Sequence, residues 1–261
     1  MYESLHIAKT GLSAQNFRMS LIANNLANVN TVGFKKDRGG FETLPYQNIR
    51  QPGSSTARGT ESPTGLLIGT GVRVVSSEKN HSQGSLITTG NSLDLAIEGD
   101  GFFRLIMPDG TFGYTRTGTF STNDKGEIVT AGGYLLDPQI AIPKGVTTIN
   151  VGKDGTVTVH TDGTTTTENV GQVQLALFRN FSGLKPAGEN LFFETDSSGS
   201  ASMVEANQGG AGGVSQGTLE ASNVNIVEEI VSMIETQRAY EMTSKAISSV
   251  DSMVRFFIQN T

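Results

Sequence analysis

Few residues in this chain stand at spacings that do chemistry. Gly213-Val214-Ser215-Gln216-Gly217 matches G-x-S-x-G, the turn that presents a nucleophilic serine in many hydrolases. Such a serine needs an apolar strand before it and a histidine later in the chain. A Gly-rich stretch precedes it instead, and the only histidines, His6, His81 and His160, all lie upstream. Three scattered histidines and no cysteine leave carboxylates alone as metal ligands. The Asp-Gly pairs at Asp100, Asp109, Asp154 and Asp162 invite a calcium reading, but none opens a D-x-[DN]-x-[DN]-G loop with Glu at its twelfth position. No G-x-x-x-x-G-K-[ST] occurs, and no G-x-G-x-x-G follows a strand. Asn80-His81-Ser82 and Asn180-Phe181-Ser182 match the glycosylation sequon, as chance allows in a chain rich in Asn, Ser and Thr. The sequence predicts no enzyme, no cofactor and no metal site.

Composition narrows the class further. The 261 residues are 36% apolar and 17% charged, with 32 glycines and a net charge of −6. An acidic chain without clustered Lys or Arg excludes a general nucleic-acid binder, because phosphate contacts need such clusters. No apolar run approaches the ~20 residues of a membrane span, so membrane insertion is not expected. The N-terminus lacks the uninterrupted apolar stretch of a cleaved signal peptide. The absence of cysteine leaves the compartment open. So thin an apolar supply suits short strands and turns, and a core completed by association.

The elements that carry this polar chain show in its periods. Leu5, Leu12, Met19 and Leu26 recur every seven residues, with Ala8, Ile22 and Val29 three positions after Leu5, Met19 and Leu26. This heptad stripe predicts a helix from about Glu3 to Asn28. Asn24, Asn25, Asn28, Asn30 and Gly33 crowd its end, and Asn and Gly favour the left-handed conformation that caps helices. A second helix runs to the far end of the chain. Asn225 followed by Glu228 resembles a capping box. Ile226, Met233, Tyr240, Ile247 and Val254 form its stripe, with Thr243, Val250 and Phe257 three positions on in the second half. Arg238 and Glu241 on this helix read as a salt-bridge pair rather than a site.

Between the helices the period becomes that of strands. Residues 93–97, 102–106, 147–151, 156–159 and 173–178 are β-branched and aromatic, and Asp-Gly pairs punctuate them as type I′ hairpin turns would. Residues 45–65, with Pro52, Gly53 and Pro63, and residues 194–217 read as linkers or extended loops. The expected fold is α+β: long N- and C-terminal coiled-coil helices flank an antiparallel β-rich middle domain. The expected divisions are an N-terminal helix at 1–34, an extended linker at 35–74, a β-rich domain at 75–217 and a C-terminal helix at 218–261.

Three segments, in order, give the chain a family resemblance. The first is residues 23–35, with Asn24, Asn25, Asn28, Thr31, Gly33 and Phe34. The second is residues 90–103, continued by Tyr114-Thr115-Arg116-Thr117-Gly118 and Thr130-Ala131-Gly132-Gly133-Tyr134. The third is residues 222–230 and then 233–241, with Gln237, Arg238, Tyr240 and Glu241. Together they resemble the rod and hook axial proteins of the bacterial flagellum. The length suits rod members, since hook proteins carry an extra outer domain. One departure is Thr243-Ser244-Lys245, where many relatives have Asn-Ser-Lys. The resemblance implies a helical homopolymer, a hollow drive shaft whose terminal helices line its inner wall. It implies passage through the flagellar type III export apparatus without cleavage, rod and hook or hook-cap subunits at the ends, and envelope ring proteins as bushings. The heptad stripes make Leu5, Leu12, Met19, Ile22, Leu26, Ile226, Met233, Tyr240, Ile247, Val254 and Phe257 the expected subunit seams. The alternatives are a proximal rod protein, a short hook protein, or a non-flagellar oligomerising β-domain that binds a partner.

Overall fold

The computed structural model describes residues 2–52, 55–57, 60–61, 64–161 and 168–259. The chain divides into two compact units, and neither is a continuous segment. One gathers Met1–Ala27, Asp37–Glu78 and Asn225–Thr261; the other gathers Asn28–Lys36 and Lys79–Val224.

The first unit is built on two helices, α1 (Tyr2–Ala27) and α2 (Ile226–Gln259). Their 26 and 34 residues make rods of about 39 and 51 Å at 1.5 Å per residue. Asn225 caps α2: its Oδ1 accepts the Val227 amide at 3.1 Å. Gly33 does not cap α1. It has φ +71° but stands six residues past Ala27, where it serves a later turn. There a Cβ would lie 2.9 Å from the Thr117 nitrogen, so only glycine fits.

Strand β1 (Asp37–Thr43) follows. The stretch expected as a bare linker then contains strand pairs. β2 (Gln47–Arg50), β3 (Ser55–Ala57), β4 (Thr60–Glu61) and β5 (Leu66–Ile68) form two nested antiparallel pairs, β2 with β5 and β3 with β4. Its Gly and Pro hide the alternation, and a register shift between Asn48 and Arg50 breaks it. Gly65 allows the close crossing, since a Cβ there would sit 2.7 Å from the Arg50 carbonyl oxygen. Pro52 lies beside it, whereas Gly53 and Pro63 fall outside the described residues. β6 (Val72–Lys79) then pairs with β1.

The second unit holds β7 (Leu86–Thr88), β8 (Leu95–Glu98), β9 (Phe102–Ile106), β10 (Phe112–Thr115), β11 (Phe120–Thr122) and β12 (Ile128–Thr130). β13 (Leu135–Asp137), β14 (Val146–Val151), β15 (Thr156–Thr161), β16 (Glu168–Gln172) and β17 (Gln174–Leu177) come next. The last are β18 (Lys185–Gly188), β19 (Leu191–Phe193), β20 (Ser202–Glu205), β21 (Gly213–Gln216) and β22 (Thr218–Glu220). A nine-stranded sheet runs β11-β12-β13-β9-β10-β19-β18, and β17 joins it through β9 and carries β20. A three-stranded sheet holds β14, β15 and β16, while β8 pairs with β21 and β7 with β22. β9 packs on both faces, with Phe102, Phe103 and Leu105 buried and Arg104 and Ile106 half-buried. Phe103 and Leu105 enter the main core with Leu136, Val157 and Leu175, and Phe102 joins Tyr114, Phe178 and Phe192 in a second cluster.

The hairpin turns differ from expectation. Asp109-Gly110 and Asp154-Gly155 do join β9 to β10 and β14 to β15, but only the glycines have positive φ, +79° and +82°. A type I′ turn needs both. Here each Asp carboxylate accepts the amide and the hydroxyl of the threonine two residues on, Thr111 and Thr156, and the glycine closes the turn. Residues 194–217 are not all loop, since they supply β20 and β21. They carry few large apolar residues besides the buried Val214, too few to show a period.

Candidate assembly surface

The two helices meet along α1. Asn25, at the end of α1, donates from Nδ2 to Glu229 Oε2 in the first turn of α2 at 3.3 Å, with both residues buried. α2 therefore runs back along α1, antiparallel to it. Asn25 does more: its Nδ2 donates to the Asp37 carbonyl at 3.0 Å, and its Oδ1 accepts the Asp37 amide at 2.8 Å. Asn24 Nδ2 donates to Asp37 Oδ2 at 2.7 Å. The asparagines of the N-terminal motif thus pin β1 to the end of α1. Neither Asp37 nor Glu229 stood out in the sequence. Only their place beside the motif and at the helix start could have marked them.

Within one chain, the buried line of α2 is more polar than its apolar stripe. On α1, Ile22 is buried and Leu5, Leu12, Met19 and Leu26 are half-buried. On α2, Met233 and Ile247 are half-buried, but Ile226 and Tyr240 are exposed. The side chains of Val254 and Phe257 lie outside the described residues. The buried line of α2 begins with Glu229 and Thr236 and continues through half-buried Thr243 and Val250, each seven residues on. The threonines need no partner across the seam: Thr236 donates to the Ser232 carbonyl at 2.6 Å and Thr243 to the Ala239 carbonyl at 2.8 Å.

Much of the apolar surface of α2 faces water. Ile226, Val227, Ile230, Val231 and Ile234 are 46, 70, 43, 50 and 44% exposed, and their spacing lays them along one stripe over the first turns. Gln237, Arg238 and Glu241 are exposed as well. The paired strands of the same unit add Tyr46, Ile49, Leu66 and Leu67, each half or more exposed.

The rest of the N-terminal motif lies in the second unit. The Thr31 hydroxyl donates to Asn28 Oδ1 at 3.2 Å, closing the turn. Phe34 is buried beneath the Lys79 ammonium, 4.7 Å from its ring centroid. Lys35 Nζ donates to Glu220 Oε1 at 2.7 Å and to the Ser82 carbonyl at 2.8 Å. The other carboxylate oxygen of Glu220 accepts Arg116 Nε at 2.6 Å. Arg116 is also held by the carbonyls of Ile97, Gly99 and Gly101. Burial pushes the Glu220 carboxyl up, but the Arg116 and Lys35 charges outweigh it and hold it below its ordinary value. Burial draws Lys35 below its ordinary value, partly offset by Glu220. We read the trio as ionised, because two cations with hydrogen bonds surround one carboxylate.

His81 stands among these cations. Its ring lies 5.6 Å from those of Phe102 and Phe192, centroid to centroid. Burial first, then the charges of Lys35, Lys79 and Arg116, lower its pKa to about 4. Among the described residues, no cluster of His, Asp or Glu could hold a metal ion, and no helix is long and apolar enough to cross a membrane.

Terminal helices joined through Asn25, with a strand-rich stretch between them in sequence, have the element order that the family resemblance implies. Residues 5–35 match the flagella basal body rod protein family, residues 96–159 the flagellar hook protein FlgE/F/G D1 domain, and residues 215–260 the flagellar basal body rod FlgEFG protein C-terminal family. The chain belongs to the flagellar basal-body rod protein family. It is 48% identical to the flagellar basal-body rod protein FlgG of Buchnera aphidicola over 98% of both chains. It is 46% identical to that of Caulobacter vibrioides over 97% of both, and 35% identical to the FlgF rod protein of the same bacterium over 95% of both.

Proposed function

We infer that the chain is a structural, non-enzymatic subunit of the distal part of the flagellar basal-body rod, a hollow shaft that carries torque from motor to hook. Full-length similarity to FlgG proteins exceeds that to FlgF, which favours this member of the family. The observation that carries self-assembly is the uncovered apolar stripe of α2. Each half-exposed aliphatic side chain gains about 1 kcal/mol on burial, and a second copy supplies the same stripe without new sequence. In this reading the terminal helices bundle as coiled coils between copies, and the paired strands around Pro52 wedge between neighbours and stiffen the tube. The unit around the nine-stranded sheet faces the envelope rings, and other rod and hook subunits cap the ends.

The test is assembly of the purified chain, seeded at high concentration and imaged by electron microscopy. Tubes of helical symmetry are expected. Closed oligomers would favour a binding module instead.

A further inference from the structure

We propose that Glu220 is the latch of the second unit: the segment 213–223 docks last and fixes the chain's first entry into that unit, residues 28–36. Glu220 gathers four partners from three distant places. Its carboxylate takes Lys35, Arg116 and the Gly84 amide, the last at 2.9 Å. Its backbone carbonyl accepts the Gly33 amide at 2.8 Å. The separations from Lys35, Gly84 and Arg116 are 185, 136 and 104 residues.

Everything around it converges on the same three segments. Asn223 Oδ1 accepts the Lys36 amide at 2.7 Å, and its Nδ2 donates to the carbonyls of Asn80 and Ser82. The Asn80 amide donates to the Lys36 carbonyl, and the Ala221 amide to that of Ser85. β22 pairs with β7, Glu220 opposite Leu86, and β21 pairs with β8, where Val214 stands opposite Ile97 and both are buried. The joint has no slack at Gly84, where a Cβ would lie 2.1 Å from the Ala221 carbonyl oxygen.

An order of formation follows from these distances. β9 with β10 and β14 with β15 close over a few residues, and closing a short loop costs less than closing one ten times longer. Until Glu220 arrives, Lys35 and Arg116 are two cations without the carboxylate that neutralises them, and burying either alone is unfavourable. The region therefore stays open while the hairpins form. A chain presented N-terminus first cannot complete this unit before residue 220 is free. The latch leaves the assembly reading untouched, because its residues belong to the second unit and the α2 stripe to the first.

The test uses the full chain and the variant Glu220→Gln, with amide hydrogen exchange read by mass spectrometry. Exchange at residues 33–36 and 84–88 is expected to rise at least tenfold, while β9, β10 and β13 stay within twofold of the unaltered chain. Uniform acceleration across the unit, or none, would overturn the latch. If Glu220→Gln does not fold, Asn223→Ala reads the same segments without stranding a buried cation, and the same local tenfold rise is expected. Pulse-labelled refolding of the unaltered chain gives the order directly. Residues 28–36, 84–88 and 213–223 should gain protection together, after β9 and β10; protection in the first phase would refute it. Tube formation by the unaltered chain is scored separately, so failure of assembly does not bear on the latch.

Discussion

His81 shows how a residue that offered no chemistry gains a physical role from its surroundings. The unfolded chain takes up a proton near the ordinary value of 6.5, whereas the folded chain resists it until about 4. Neutral His81 thus contributes stability that is full above 6.5 and is lost as pH falls through 4, about 3 kcal/mol in all. Denaturant midpoints of the unaltered chain and of His81→Phe, taken from pH 7 to pH 4, should diverge steadily in that window as only the former declines through this group. Parallel curves would show that the ring is solvated. Asp109 and Asp154 teach a related lesson. Both turns stand where Asp-Gly places them, but Asp does not take the left-handed φ that a type I′ turn needs. The carboxylate in fact works through Thr111 and Thr156, and the threonine two residues on was the legible sign. Replacing Thr156 with Ala should cost about 1 kcal/mol, as loss of one charge-assisted hydrogen bond at the surface does, measured by thermal unfolding.

For the helices, the heptad period found both elements, the end of α1 near Asn28 and the start of α2 after Asn225. It did not mark which residues of α2 are buried within one chain. Ile226 and Tyr240, expected at seams between subunits, are exposed in the single chain, whereas Glu229 and Thr236 are buried. Side chains whose hydrogen bonds are made within the helix, or to Asn25, pass for polar in a sequence and pack as if apolar in the fold. The exposed apolar stripe separates folding from assembly. Ile230→Glu puts a charge where water already reaches, so the unfolding midpoint should shift by less than about 0.5 kcal/mol. Tube formation should fail, as turbidity and electron microscopy would record. Met233→Glu, half-buried beside α1, should lower stability as well, by several kcal/mol. Equal effects of the two changes on stability would mean that the stripe is not free in the monomer.

At the scale of the whole molecule, the order helix, strands, helix was plain in the sequence because the hydrophobic period changes from seven to two and back. The division into units was not. Assigning Asn28–Lys36 to the strand-rich unit depends on Gly33, Lys35 and Glu220 meeting across most of the chain, and no local pattern encodes that. The paired strands around Pro52 escaped for the opposite reason, since Gly and Pro there look like a break. Deleting residues 48–63 should increase the curvature of assembled tubes in electron micrographs. Straight tubes of unchanged persistence length would leave this segment without a stiffening role.

The chain passes between its two units four times, after residues 27, 36, 78 and 224. It is therefore tied together much as a laced seam is, in which one thread can be cut without the fabric opening. A protease that makes a single cut between β2 and β5 leaves α1 and β1 on one fragment and β6, β22 and α2 on the other. Those fragments still share the α1–α2 contact, the β1–β6 pairing and the bond from Lys35 to Glu220. They should migrate as one species on a native gel and as two once denatured. A subunit in service could be nicked there and go on bearing load.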